Sequence, residues 1–176
     1  MAADFAEHYS VYNVPRPLAF MAVAPGTGNP ADQPPVQFDP SIYMLVVIEG
    51  NDQVVGPTFG KALFNAAANI PSSHRNLVEQ YQDGHGSPGL TAVHGECWSV
   101  DSSFDNGVDN YIIDYANTTS AINAVDYYCY WKLFDALQDC ALNGTGCATA
   151  FGNTIAQKYM GKWSDSALVV PLGVTP

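Results

Sequence analysis

The sequence predicts an α/β protein: a small parallel sheet of about three strands, flanked by helices. Three observations lead there. Residues 43–48 form an apolar run too short for a buried helix and rich in β-branched side chains, as in a strand covered on both faces. A second short run, residues 76–81, follows after a segment of helical periodicity. Each run stops abruptly at turn-forming residues. Strand, helix and strand in that order make a crossover, and its right-handedness places both strand ends on one rim of the sheet. That rim is where open α/β sheets bind ligands.

Taken in order, residues 1–13 mix acidic, aromatic and small side chains without a basic start. Arg16 and the run Leu18-Ala19-Phe20-Met21-Ala22-Val23-Ala24 imitate a signal peptide only faintly; the acidic start and the short run argue against one. Residues 17–24 read instead as the first buried strand, ending in Pro25-Gly26-Thr27-Gly28. Pro30, Pro34, Pro35 and Pro40 make residues 29–40 an extended loop, because proline fixes φ and removes a donor. The second strand, 43–48, runs into the turn Glu49-Gly50-Asn51-Asp52. Residues 58–69 then place Phe59, Leu63, Phe64 and Ala67 on one helical face. A loop carrying His74 at the surface leads to the third strand, 76–81. Gln82-Asp83-Gly84-His85-Gly86-Ser87-Pro88 is its polar turn.

The pattern from 89 to 120 is irregular. Residues 91–94 begin a short helix or strand, 99–107 are loop in composition, and 111–115 form an apolar patch. Residues 120–142 are the clearest helix, with Ile122, Val125, Tyr128, Cys129, Leu133, Phe134 and Leu137 at helical spacing. Ser120 or Asn123 can cap it, and Asn143-Gly144 ends it. Its aromatics, Tyr127, Tyr128, Tyr130, Trp131 and Phe134, are expected to pack against the sheet. A second short helix spans 154–163, capped by Asn153 or Thr154. Residues 167–170 form a last extended piece, and 171–176 read as a frayed tail. The whole chain, 1–176, reads as a single domain.

A net charge of −11 with only 6 Lys plus Arg repels phosphate backbones, so nucleic acid is not an expected partner. No apolar run approaches the roughly 20 residues of a membrane span. Four cysteines without a Cys-x-x-Cys argue against structural zinc. His8, His74, His85 and His94 show no His-x-x-x-His or His-Glu-x-x-His spacing, so neither metal nor cofactor is expected. Cys140 and Cys147 bracket a turn-forming stretch and are either a disulfide or two free thiols. A disulfide would favour a secreted or extracytoplasmic setting. Pairing of Cys97 with Cys129 stays open. Asn117-Thr118-Thr119 and Asn143-Gly144-Thr145 fit the glycosylation sequon, a pattern that also arises by chance.

Asp52 and His85 are the candidate site residues. Read singly, each is a solvated turn residue. Their shared position after successive buried strands argues for chemistry, since a carboxylate on one imidazole nitrogen leaves the other free to act as a base. Gly50-Asn51-Asp52-Gln53-Val54-Val55 resembles the acid turn of α/β-hydrolase-fold serine hydrolases. Asp83-Gly84-His85-Gly86-Ser87-Pro88 resembles their histidine loop, and the order acid then histidine matches. The stretch from Asp126-Tyr127-Tyr128 to Trp163-Ser164-Asp165 is similar to the C-terminal helices of predicted hydrolases of that superfamily. The resemblance, over roughly residues 15–165, implies a partial α/β-hydrolase-like sheet with Asp52 as acid and His85 as base.

The nucleophile is missing from this pattern. No Gly-x-Ser-x-Gly and no His-Gly-Gly-Gly oxyanion stretch occurs. The resemblance therefore implies the C-terminal half of a serine hydrolase of small or lipid-like esters, inactive without a segment that carries the serine. Association with that missing half, or with a second copy, is expected, because a half-sheet leaves a strand edge unpaired. The alternative is a non-catalytic, hydrolase-like interaction module.

Overall fold

The computed structural model describes residues 2–27, 37–98, 111, 114, 115, 118 and 120–176. Its centre is a four-stranded sheet in the order β1 (Ala19–Val23), β2 (Tyr43–Glu49), β3 (Arg75–Gln80), β4 (Gly173–Thr175). The first three strands are parallel and β4 is antiparallel to β3, so the α/β class read from the sequence is the observed one. β2 is the middle of the parallel set, which explains its near-continuous apolar run: six of its seven residues are buried.

Alternation along β2 builds two cores. Met44, Val46 and Ile48 face one side, where they meet Leu63, Phe64 and Ile70. Leu63 and Phe64 belong to α2 (Thr58–Ala66). Gly60 lets α2 approach closely: a Cβ there would stand 2.5 Å from Cγ2 of Ile48. The same side is closed by α1 (Ala2–His8), whose Ala3 and Ala6 are buried near Phe20 and Ala22. Leu45, Val47 and Val78 face the other side, against Val125, Cys129, Leu133 and Leu137. Leu133 has no exposed surface, a burial worth about 2 kcal/mol.

Val125 directly precedes, and Cys129 belongs to, a π-helical turn, Asp126–Trp131, that runs into α3 (Lys132–Asn143), which carries Leu133 and Leu137. The long helix thus starts later than its periodicity predicts, though Asn123 does cap the entry: its Oδ1 accepts from the Val125 amide at 2.7 Å. Gly144 ends the helix in the left-handed conformation, φ 68°, as Asn143-Gly144 suggests. Two short helices follow, α4 (Cys147–Ala150) and α5 (Ile155–Lys158), the latter capped by Thr154. Cys140 and Cys147 form a disulfide, while Cys97 and Cys129 are free.

Four sequence expectations need correction, and one segment was left unassigned. Residues 171–176 are not a frayed tail, because Gly173–Thr175 pairs with β3 and covers its edge. Residues 2–8 form a helix that mixed composition concealed. His74 is not simply at the surface: it is half-buried, with its ring 4.1 Å from that of Tyr43. Residues 154–163 are helical only over Ile155–Lys158. Of the five aromatics between 127 and 134, only Tyr130 is buried, because Val125, Cys129, Leu133 and Leu137 take the sheet-facing side of the helix and the others fall outside it. The loop expected at 99–107 lies outside the described residues, as do parts of the 29–40 and 111–115 segments. No helix among the described residues is long and apolar enough to cross a membrane.

Candidate functional site

Asp52 sits just past the carboxyl end of β2, where its amide donates to the Glu49 carbonyl at 3.2 Å. Its carboxylate is held on both oxygens. Oδ1 accepts from the amides of Val54 (2.8 Å) and Val55 (3.0 Å), an Asx-type turn onto its own backbone. Oδ2 meets Nδ1 of His94 at 3.0 Å. The Asp52 side chain is 2% exposed and that of His94 20%. Burial alone would raise the Asp52 pKa, but the Val55 and Val54 amides and His94 outweigh it and hold the carboxyl below its ordinary range. An ionised carboxylate only accepts, so Nδ1 of His94 carries the proton and donates. Among the described residues the opposite nitrogen, Nε2, has no hydrogen-bond partner.

The predicted partner, His85, lies elsewhere. Its Nε2 contacts Oδ2 of Asp165 at 2.7 Å, and its ring packs 5.8 Å from Trp163, with both side chains of the ion pair largely exposed. The reason is a turn-back that the sequence does not announce. Asp83 and Leu90 exchange two backbone hydrogen bonds, of 2.9 and 2.8 Å, and so close a hairpin whose tip carries His85 outward. Asp83 also accepts from the His85 amide, from Nε1 of Trp163 and from the Val170 amide, which fastens that tip to the C-terminal segment.

From Leu90 the chain returns across the strand ends. Nε2 of Gln80, at the end of β3, donates to the Thr91 carbonyl at 2.8 Å. The Asn51 amide, past β2, donates to the Ala92 carbonyl at 2.9 Å. Two residues later His94 arrives over Asp52. Gly84, Gly86, Pro88 and Gly89 supply the turn-formers this path uses, but they do not say which histidine returns to the rim.

Behind the pair lies a buried acidic layer. Glu49, 1% exposed, accepts from the Tyr130 hydroxyl at 3.0 Å, and its Oε2 has no partner among the described residues. Burial pushes the Glu49 carboxyl up to about 8, with the nearby charges of Asp52 and Glu96 adding to it, so it is a neutral acid at pH 7. Glu96, equally buried, accepts from the Thr91 hydroxyl and from Nδ2 of Asn123 at 2.7 Å, tying the His94 loop to the entry of α3; burial raises its pKa as well. The Cys97 thiol is pushed up to about 12, by burial first and by Glu49, which leaves it protonated and a poor nucleophile. No group of three or more His, Cys, Asp or Glu among the described residues is arranged to hold a metal ion.

Beside the His94 loop runs a groove of about 530 Å³, bounded by Pro88, Leu90, Thr91, Glu96, Ile122 and Trp163. Its size is that of a small-ligand site, and its walls are mostly apolar. The arrangement can orient an imidazole, keep one tautomer, and stabilise the imidazolium once a proton arrives. Comparison of the chain with protein-family models, with curated proteins and with solved structures finds no match.

Proposed function

We propose that this chain is the acid- and base-bearing part of a serine hydrolase of carboxylic esters, inactive until another segment supplies the serine and the oxyanion donors. The base is His94, in place of the His85 read from the sequence, and the acid is Asp52. The observation that carries this reading is the 3.0 Å contact between Nδ1 of His94 and a carboxylate whose other oxygen is locked by two amides. That is the orienting half of a nucleophilic triad. His85 lacks such support, because its partner Asp165 is exposed.

In the reaction, the serine hydroxyl adds to the ester carbonyl carbon while Nε2 of His94 takes its proton. The imidazolium, held by Asp52, returns that proton to the departing alcohol, and the acyl group stays on the serine. Water then adds in the same way, and the carboxylic acid leaves as the serine regains a proton. The mostly apolar groove bounded by Leu90, Thr91, Glu96 and Ile122, which flanks the loop that carries His94, suits the hydrocarbon part of a small or lipid-like ester.

The test uses a fluorophosphonate probe, which labels an activated serine. The purified chain alone should not label. Added to an extract of the cells that encode it, the chain should assemble with a polypeptide that does. His94→Gln or Asp52→Asn should cut that labelling on the order of 100-fold or more, while His85→Gln should leave it unchanged. Labelling indifferent to His94 and Asp52 would leave the alternative, a non-catalytic interaction module.

A further inference from the structure

The disulfide, which the function proposed above does not use, encloses a short stretch of distinct chemistry. Cys140 and Cys147 are joined, and between them lies Asn143-Gly144-Thr145. Asparagine, then a residue other than proline, then threonine is the acceptor pattern for N-linked sugar. Such triplets also arise by chance, and three structural features set this one apart. The first is access, which comes from how α3 ends. Asn143 is its last residue, and Gly144 leaves it in the left-handed conformation. The amides of Gly144 and Thr145 turn back onto the carbonyls of Cys140 and Asp139, at 3.1 and 3.3 Å, which directs the turn outward. Every residue from 142 to 146 is exposed. The side-chain amide of Asn143 donates only to Oδ1 of Asp139, at 3.4 Å and in solvent, so releasing it costs little. A Cβ at Gly144 would meet nothing within 4 Å.

The second feature is position. The turn belongs to the end of the sheet opposite Asp52 and His94. Shortly beyond it, the Phe151 ring meets that of Tyr43, the first residue of β2, at 5.8 Å. The Gly152 amide donates to Oδ1 of Asn76, near the start of β3, at 3.0 Å. At the other end of the helix, Asn123 is tied through Glu96 to the His94 loop. With 1.5 Å of rise per residue, the helical stretch from 126 to 143 separates the two ends by about 25 Å. A bulky, solubilising sugar on Asn143 therefore leaves the rim and its groove open. It also stands beside Leu142, an apolar side chain 65% exposed.

The third feature is the disulfide itself. Such bonds form and persist in oxidising compartments, the lumen of the secretory pathway among them, and that lumen is where sugar is transferred to asparagine. The Cys140–Cys147 bond and the acceptor triplet thus call for the same surroundings, and they occupy the same turn. We propose that Asn143 is a site of N-linked glycosylation. In the transfer, Nδ2 of Asn143 attacks the anomeric carbon of a lipid-linked oligosaccharide diphosphate. The N–C bond forms, the C–O bond to the diphosphate breaks, the lipid diphosphate leaves, and the amide proton passes to a base of the transferase. The Thr145 hydroxyl is what the transferase reads beside the amide. Transfer takes place on the emerging chain, before α3 forms, so the fold has only to accommodate the product.

Mass spectrometry of the full chain, made in the cells that encode it, tests this. Trypsin cuts after Lys132 and Lys158, and the peptide 133–158 holds no other acceptor triplet. The expected result is a peptide that carries sugar containing N-acetylhexosamine, lost on treatment with peptide-N-glycosidase. The same treatment should speed the intact chain on a denaturing gel. Asn143→Gln and Thr145→Ala should each abolish the modification of this peptide, while Thr145→Ser should keep it. Both replaced side chains are exposed, so the variants should stay folded by tryptophan fluorescence. A bare 133–158 peptide from the unsubstituted chain, or sugar on it that survives Thr145→Ala, would overturn the proposal. Aspartate at position 143 formed without the glycosidase is deamidation of Asn143-Gly144 and counts as bare peptide.

Discussion

Replacing Glu49 with Gln should remove most of the loss of stability that this protein suffers between pH 4.5 and 8. In the fold the Glu49 carboxyl keeps its proton up to about pH 8, against an ordinary value of 4.5. Between those limits the unfolded chain releases the proton and the folded chain does not. This part of the stability is therefore fully present below pH 4.5 and declines as pH rises towards 8. At ~1.4 kcal/mol per pH unit, the 3.5-unit gap amounts to roughly 5 kcal/mol. Glutamine is neutral throughout and keeps the oxygen that accepts from Tyr130, so its fold does not carry this cost. The two proteins should be nearly equal in stability at pH 4.5, and Glu49→Gln should be ahead by about 4 kcal/mol at pH 8. Urea unfolding followed by tryptophan fluorescence measures this across the range. Asp83 titrates in both proteins and drops out of the difference, whereas Asp52 and Glu96, whose charges bear on Glu49, are part of what the substitution relieves. Stability curves that stay parallel from pH 4.5 to 8 would show that Glu49 is already ionised in the fold.

Two further substitutions probe the scaffold. Removing the Cys140–Cys147 disulfide as the double variant Cys140→Ser, Cys147→Ser releases a loop closed over a separation of 7 residues, which should cost about 2.5 kcal/mol and shift the urea midpoint without abolishing folding. Gly60→Ala drives a methyl group to 2.5 Å from Cγ2 of Ile48; it should destabilise by about 1–3 kcal/mol through displacement of α2, and an unchanged melting temperature would mean that α2 yields freely.

The parts of the fold legible in the chain were those set by local periodicity. Residues 43–48 could only be a strand buried on both faces, since neither their length nor their branching suits another element, and Gly144 ended its helix where a left-handed residue was needed. β4 escaped notice because Gly173-Val174-Thr175 is three residues long and pairs with a strand nearly 100 positions away. The exposed aromatics were misread for a different reason: Val125, Cys129, Leu133 and Leu137 already fill the sheet-facing side of the helix, and the period leaves the rings outside it.

The place of Asp52 at the rim was legible because its turn lies within a few residues of its strand. The choice between His85 and His94 was not local. It depended on whether the chain past β3 stays at the rim or doubles back, and only the hydrogen bonds that join Asp83 to Leu90, Gln80 to Thr91 and Asn51 to Ala92 decide that. The sequence by itself thus determined the three parallel strands and the rim on which Asp52 lies, each from spacing along a single segment. Tertiary structure alone decided which imidazole meets that carboxylate, because theirs is a contact between segments that no periodicity relates.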